Sequence, residues 1–155
     1  MIYVYVAGPL FKEAEIAQRR LEGKKIKEVL EKKKIDYFIA NPIDLPFDNT
    51  KVLSSWEIFN EDYSHINKAN VLFFELASED SGTMVELGNV IEKYMQGKDI
   101  KIYPVVADLR LQRNDAMGLE CPFGLNSYLI GSLTANNITI FKSFEEALAQ
   151  FETDL

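Results

Sequence analysis

The chain has 155 residues, and 17 Lys+Arg against 24 Asp+Glu give a formal net charge of −7 with 47% hydrophobic residues. That length predicts one domain over residues 1–155, able to bury roughly two thirds of its unfolded surface without a staple. Cys121 is the only cysteine and His65 the only histidine, which excludes an intrachain disulfide and argues against a His/Cys metal site, while the acidic balance argues against a nucleic acid polymer as partner.

Residues 2–7 form a short apolar, β-branched and aromatic run stopped by Gly8-Pro9, the pattern of a strand buried on both faces. The start carries no positively charged leader before this run, and nowhere do about eighteen apolar residues follow one another. Neither a signal peptide nor a membrane contact is therefore expected, and the expected location is cytoplasmic. A helix is predicted over residues 12–33, where Ile16, Leu21, Ile26, Val29 and Leu30 recur at helical spacing. Its lysines (Lys24, Lys25, Lys32, Lys33 and Lys34) alternate with Glu22, Glu28 and Glu31, which predicts a solvated face with i,i+4 pairs.

Residues 35–40 read as a second strand ended by Asn41-Pro42, and residues 41–55 as a long loop. Ser54-Ser55-Trp56-Glu57 is a capping box opening a helix through Lys68, and residues 71–76 form a third strand. Residues 77–82 are a loop, 83–96 a helix closed by Gly97, and 100–106 a fourth strand. After an irregular stretch to Cys121-Pro122, a helix is predicted over 123–133, a fifth strand over 138–141, and a last helix capped by Ser143. Regular alternation of strand and helix predicts an α/β fold: a three-layer α/β/α sandwich around a five-stranded parallel sheet, doubly wound and flavodoxin-like.

Such sheets bind ligands at the carboxyl ends of their strands. The first strand end, Ala7-Gly8-Pro9-Leu10-Phe11, is neither a dinucleotide fingerprint nor a P-loop, and Gly8 suits either a tight turn or close approach of a ligand. The third, from Glu79 through Gly82 to Gly88, sets Asp80 and Glu86 around the start of a helix. Thr83-Met84-Val85-Glu86 is itself a capping box, so Glu86 serves either the first turn or chemistry. Gly88, inside the helix, costs about 1 kcal/mol relative to alanine, which predicts close packing against that turn.

On the preceding helix, Ile58, Asp62 and Ile66 share an i, i+4, i+8 row, which puts Asp62 on the apolar stripe. There it is either an inward carboxylate bonded to a backbone amide or a proton carrier of raised pKa. His65 is expected to be a surface or structural residue. Phe11, Phe47, Trp56 and Phe59 are candidates to stack on a ligand, with about two of the four expected in the core.

The segments YVAGPLF, FNEDYSHINKANVLFFEL and DSGTMVELG, followed by ECPFGLNSYLIG and ITIFKSFEEAL, together resemble the nucleoside 2-deoxyribosyltransferase family over most of the chain. Residues 41–55 and 108–119 fall outside the resemblance. It implies Glu86 as nucleophile, Asp80 and Asp62 as carboxylates at the nucleobase, and Tyr5, Gly8, Phe11 and Gly82 as pocket residues. It further implies a homo-oligomer in which Asn126 completes a neighbouring site, 2-deoxynucleosides and free purine or pyrimidine bases as partners, and neither metal nor cofactor.

Chemically, an anionic carboxylate beneath C1′ stabilises oxocarbenium character and can trap it as a glycosyl-enzyme, while a second group supplies the departing base with a proton. The expected activity is therefore deoxyribosyl transfer between bases. Its rivals are hydrolysis of 2-deoxynucleoside 5-monophosphates, which needs donors for a dianionic phosphate near Gly8, and nucleoside binding without catalysis.

Overall fold

The computed structural model describes residues 1–45, 52–77, 79–111 and 124–155. Phe47, Cys121 and Phe123 lie outside these; the helix predicted over 123–133 begins later, at Ser127, because Asn126 caps it. The elements are β1 (Ile2–Ala7), α1 (Glu13–Lys32), β2 (Tyr37–Ala40), a 3-10 turn (Pro42–Asp44), α2 (Ser55–Lys68), β3 (Val71–Glu75), α3 (Ser81–Met95), β4 (Lys101–Val105), α4 (Ser127–Thr134) and α5 (Phe144–Asp154). The sheet is parallel, in the order β2-β1-β3-β4, with Val4 beside Ile39 and Val71, and Phe73 beside Tyr103.

Alternation along β1 and β3 splits the core in two. Tyr5, Ala7, Leu72 and Phe74 face Ile66, Leu87, Val90, Ile91, Ile130 and Leu133 from α2, α3 and α4. Val4, Val6, Val71 and Phe73 face Ile26, Val29, Leu30, Phe144, Ala147 and Phe151 from α1 and α5. A strand covered on both sides must be apolar at every position, which is why residues 2–7 read as a continuous run. Phe73 is the hub of the second core, stacked on Tyr103 and edge-on to Phe151.

The predicted fifth strand shrinks to a single parallel bridge, Val105 to Phe141. Phe141 N–H donates to the Pro104 carbonyl (2.9 Å), and Val106 N–H donates to that of Phe141 (2.8 Å). The next rung toward the amino end needs an N–H from residue 104, and proline has none. Among the described residues the sheet is accordingly four-stranded, not five-stranded.

α1 is as amphipathic as its spacing predicts except at Leu21, which is exposed, and at Glu22, expected on the solvated face but buried because Arg19 pairs with it; these two charged residues begin the buried stripe. Lys24 pairs with Glu28 and Lys27 with Glu31 on the solvated face. Ser54 and Glu57 form the predicted capping box of α2. Among the described residues no helix is long and apolar enough to cross a membrane.

Phe73 is buried against the rings of Tyr103, Phe144 and Phe151, so Phe73→Ala is expected to destabilise the protein by about 3–5 kcal/mol, read from denaturant unfolding.

Candidate active site

In the observed strand order, the connection from β1 leaves to one face of the sheet through α1, and that from β3 leaves to the other through α3. Between these diverging connections a cleft of about 190 Å3 opens at the carboxyl ends of the strands. It is lined by Tyr5, Gly8, Leu10, Phe11, Pro42, Asp62, Asp80, Gly82, Thr83 and Glu86 among others. Of the residues singled out from the sequence, Tyr5, Gly8, Phe11, Asp62, Asp80, Gly82 and Glu86 thus share one cavity. A second groove of about 440 Å3, walled by Ile58, Phe59, Tyr63 and Val85, shares Asp62, Gly82 and Glu86 with it.

Asp80 is the N-cap of α3: its Oδ1 accepts the Thr83 N–H (3.2 Å), and its Oδ2 accepts the Thr83 hydroxyl (2.6 Å). Glu86 therefore does not cap this helix, and the capping-box reading of Thr83 through Glu86 fails because the helix starts a turn's fraction earlier, at Ser81. Freed from that task, Glu86 points into the cleft and accepts a hydrogen bond from the Tyr5 hydroxyl at 3.0 Å. Burial pushes its carboxyl up to about 7; the Tyr5 hydrogen bond opposes the rise, and Asp62 and Asp80 add to it. Burial, with Glu86 and Asp62 nearby, also raises the Tyr5 phenol, which stays a neutral donor.

Asp62 is half-buried, and its Oδ1 has no hydrogen-bond partner among the described residues. Burial raises its carboxyl to about 6, against a lowering by His65 and with a smaller rise from Glu61. The row that carries Asp62 is less enclosed than its apolar spacing predicts: Ile66 is buried, but Ile58 is exposed, because that face of α2 borders the open groove. His65 is a buried structural residue, bonded to the Tyr3 hydroxyl at 2.5 Å and to Glu61 at 3.2 Å.

Phe11, Phe59 and Trp56 are 68%, 51% and 73% exposed, so none of the three belongs to the core. Phe11 lines the cleft and Phe59 the groove. Expecting half of these aromatics inside overlooked that both cores are already filled by residues of the sheet and its helices.

Gly8 has a reason the sequence did not suggest. Among the described residues the positive-φ glycine is Gly97, not Gly8, but a Cβ on Gly8 would lie 1.8 Å from Nη1 of Arg19 and 2.9 Å from Cβ of Glu75. Gly88 is the converse case: a Cβ there would meet nothing within 4 Å, so among the described residues nothing packs closely against it. Asn126 caps α4 by accepting the Tyr128 N–H (2.9 Å) and lines a separate groove with Met84, Gly88 and Ile91. Glu86 and Gly88 lie on nearly opposite sides of α3, so the Asn126 of the same chain stands across that helix from the cleft.

Leu10, Pro42 and Thr83 were not legible from the sequence as lining residues, nor were Arg19, Glu22 and Glu75 as the charged group behind them. The one signal for Arg19 and Glu22 is their helical spacing on the same stripe as Ile26, Val29 and Leu30. Among the described residues no cluster of three His, Cys, Asp or Glu side chains is placed to hold a metal ion.

The family model of nucleoside 2-deoxyribosyltransferase matches residues 4–120, a span that contains every lining residue of the cleft. The chain belongs to the nucleoside 2-deoxyribosyltransferase family. Several solved structures share its fold. A conserved protein from Enterococcus faecalis V583 aligns with a TM-score of 0.75 at 23% identity, covering 100% of this chain and 99% of that one. The CMP N-glycosidase BcmB from Clostridium botulinum aligns at 0.56 and 15%, covering 98% and 99%. A 2-deoxyribosyltransferase from Bacillus psychrosaccharolyticus aligns at 0.53 and 22%, covering 94% and 89%.

The raised carboxyl of Glu86 has a consequence for stability. Its folded form ionises near 7 and its unfolded form near 4.5, so the native state binds the extra proton in between, and its stability declines as pH rises across that window. Glu86→Gln, which keeps an acceptor for Tyr5, is expected to raise unfolding stability at pH 8 by on the order of 1–3 kcal/mol and to change it little near pH 4, measured by denaturant titration at both pH values.

Proposed function

We propose that the protein cleaves the N-glycosidic bond of 2-deoxynucleosides and transfers the deoxyribosyl group to another nucleobase through a covalent intermediate on Glu86. The observation that carries this reading is the orientation of Glu86 into the cleft, held by Tyr5 and relieved of any capping duty by Asp80. Its carboxylate attacks C1′ from the face opposite the base as the C1′–N bond breaks, forming a glycosyl ester. The departing base takes a proton from Asp62, whose unpartnered oxygen is better placed to give one than Asp80, both of whose oxygens accept bonds from Thr83. An acceptor base then attacks C1′ on the ester and returns a proton to Asp62, so configuration is retained; water in its place gives hydrolysis.

Among the described residues lining the cleft there is no cation. That favours a neutral nucleoside over a 5-monophosphate. Arg19 is enclosed by Glu22, Glu75 and the Ala7 carbonyl, Arg20 is on the solvent side 3.9 Å from Asp44, and Lys12 pairs with Glu15 at 2.9 Å. Asn126 is assigned to the site of a neighbouring subunit in a homo-oligomer, and the enzyme to cytoplasmic salvage of deoxynucleosides.

Incubation with deoxyinosine and adenine is expected to yield deoxyadenosine and hypoxanthine. Hypoxanthine released from deoxyinosine monophosphate, with no deoxyadenosine from the first mixture, would establish the hydrolase instead. Glu86→Ala is expected to abolish turnover, a loss of at least about 10³-fold, with unfolding cooperativity retained; surviving turnover would exclude Glu86 as the nucleophile, and absence of turnover in the wild type would leave nucleoside binding without catalysis. Because Glu86 must be ionised and Asp62 protonated, kcat/KM is expected to follow a bell in pH with limbs belonging to the pair near 6 and 7, and Asp62→Asn to remove the alkaline limb.

A further inference from the structure

We propose that Arg19 is a positioning residue for the cleft: its buried guanidinium holds the turn Ala7-Gly8-Pro9-Leu10-Phe11 as one wall of the nucleoside site, and Gly8 is glycine because that guanidinium occupies the place of its side chain. The part concerning catalysis rests on the deoxyribosyl-transfer reading above; the part concerning the turn does not.

Arg19 is 1% exposed. Its Nη1 donates to the Ala7 carbonyl at 3.2 Å, immediately before the turn, and its Nη2 donates to Glu22 at 2.8 Å and also to Glu75. Glu75 is the last residue of β3, just ahead of the loop that carries Asp80. The backbone carbonyl of Arg19 accepts from Asn41 Nδ2 at 2.8 Å, which fixes the residue before Pro42, another lining residue. One residue of α1 is thereby bonded to the ends of β1 and β3 and to the residue that follows β2.

An arginine desolvated this fully would cost far more than it returns as a surface ion pair. Two carboxylates and a carbonyl compensate the charge, and their arrangement specifies where the turn sits. A Cβ at Gly8, 1.8 Å from Nη1, cannot coexist with that arrangement. The far end of the turn is tied separately, where Glu15 accepts the N–H of Phe11 (2.8 Å) and of Lys12 (2.9 Å). Loss of Arg19 therefore releases the near end of the turn, beside Gly8, while α3 with Glu86 keeps its own anchors. Substrate binding should suffer more than the chemical step.

The test compares wild type, Arg19→Lys, Gly8→Ala and the double variant by chymotrypsin cleavage within the turn, after Leu10 or Phe11, and by steady-state transfer kinetics. A lysine keeps the charge but cannot bond the Ala7 carbonyl and both glutamates in the same fork. In each single variant, cleavage in the turn is expected to speed up about tenfold while the amides of β3 stay protected from hydrogen exchange, and KM for the deoxynucleoside to rise about tenfold with kcat within about threefold. In the double variant the effects are expected to be strongly non-additive, because either change alone displaces the same guanidinium. Unchanged cleavage of the turn in Arg19→Lys, additive effects, or a fall in kcat at constant KM would overturn the proposal. Should Arg19→Lys fail to fold, Gly8→Ala alone decides, by whether the turn is cut faster while β3 stays protected. Should the wild type catalyse no transfer, the function proposed above fails, and the cleavage rates still decide whether Arg19 holds the turn.

Discussion

The rest of the molecule depends on β1 being buried on both faces while its carboxyl end stays open. Its alternation sends Val4 and Val6 toward α1 and α5, and Tyr5 and Ala7 toward α2, α3 and α4. Tyr5 is thus enclosed except at its hydroxyl, which ends beside Glu86. Because β1 lies where the helical connections diverge to opposite faces, the space past its last residue cannot be filled by either connection, and the cleft is what remains.

Charge is distributed across this boundary in an uneven way. Asp62, Asp80 and Glu86 face the cleft, and the nearest buried cation, Arg19, stands behind its wall and is compensated there by Glu22 and Glu75. Desolvation acts on Glu22 as well, pushing its carboxyl up to about 7 despite the pull of Arg19. An ordinary core would place apolar side chains at these positions and be more stable for it. The arrangement instead keeps two carboxyls close to neutrality's edge in a site without countercharge, which suits a neutral ligand that becomes cationic as its bond breaks.

Much of this was legible along the chain. The helices and the first four strands follow from runs, spacing and caps, because each depends on neighbours within a few residues. Where sequence reading failed, a distant partner decided. The strand at 138–141 is lost to the missing N–H of Pro104. Where sequence reading left a choice, a distant partner also decided: the Tyr5 hydroxyl engages Glu86 in the cleft, and the Tyr3 hydroxyl holds His65 as a structural residue. Phe11, Trp56 and Phe59 stay outside because other rings already fill the cores.

By itself, the amino-acid sequence determined the fold class, since periodicity is a local property, and the resemblance of its motifs pointed to the family and to Glu86, Asp80 and Asp62 as its candidate carboxylates. Only the tertiary structure decided which of those groups share a cavity, that Asn126 stands across α3 from Glu86, and that Gly8 answers to an arginine eleven positions on. Those facts are set by which strand ends lie side by side, and packing of the sheet against its helices, not any short stretch of chain, determines that.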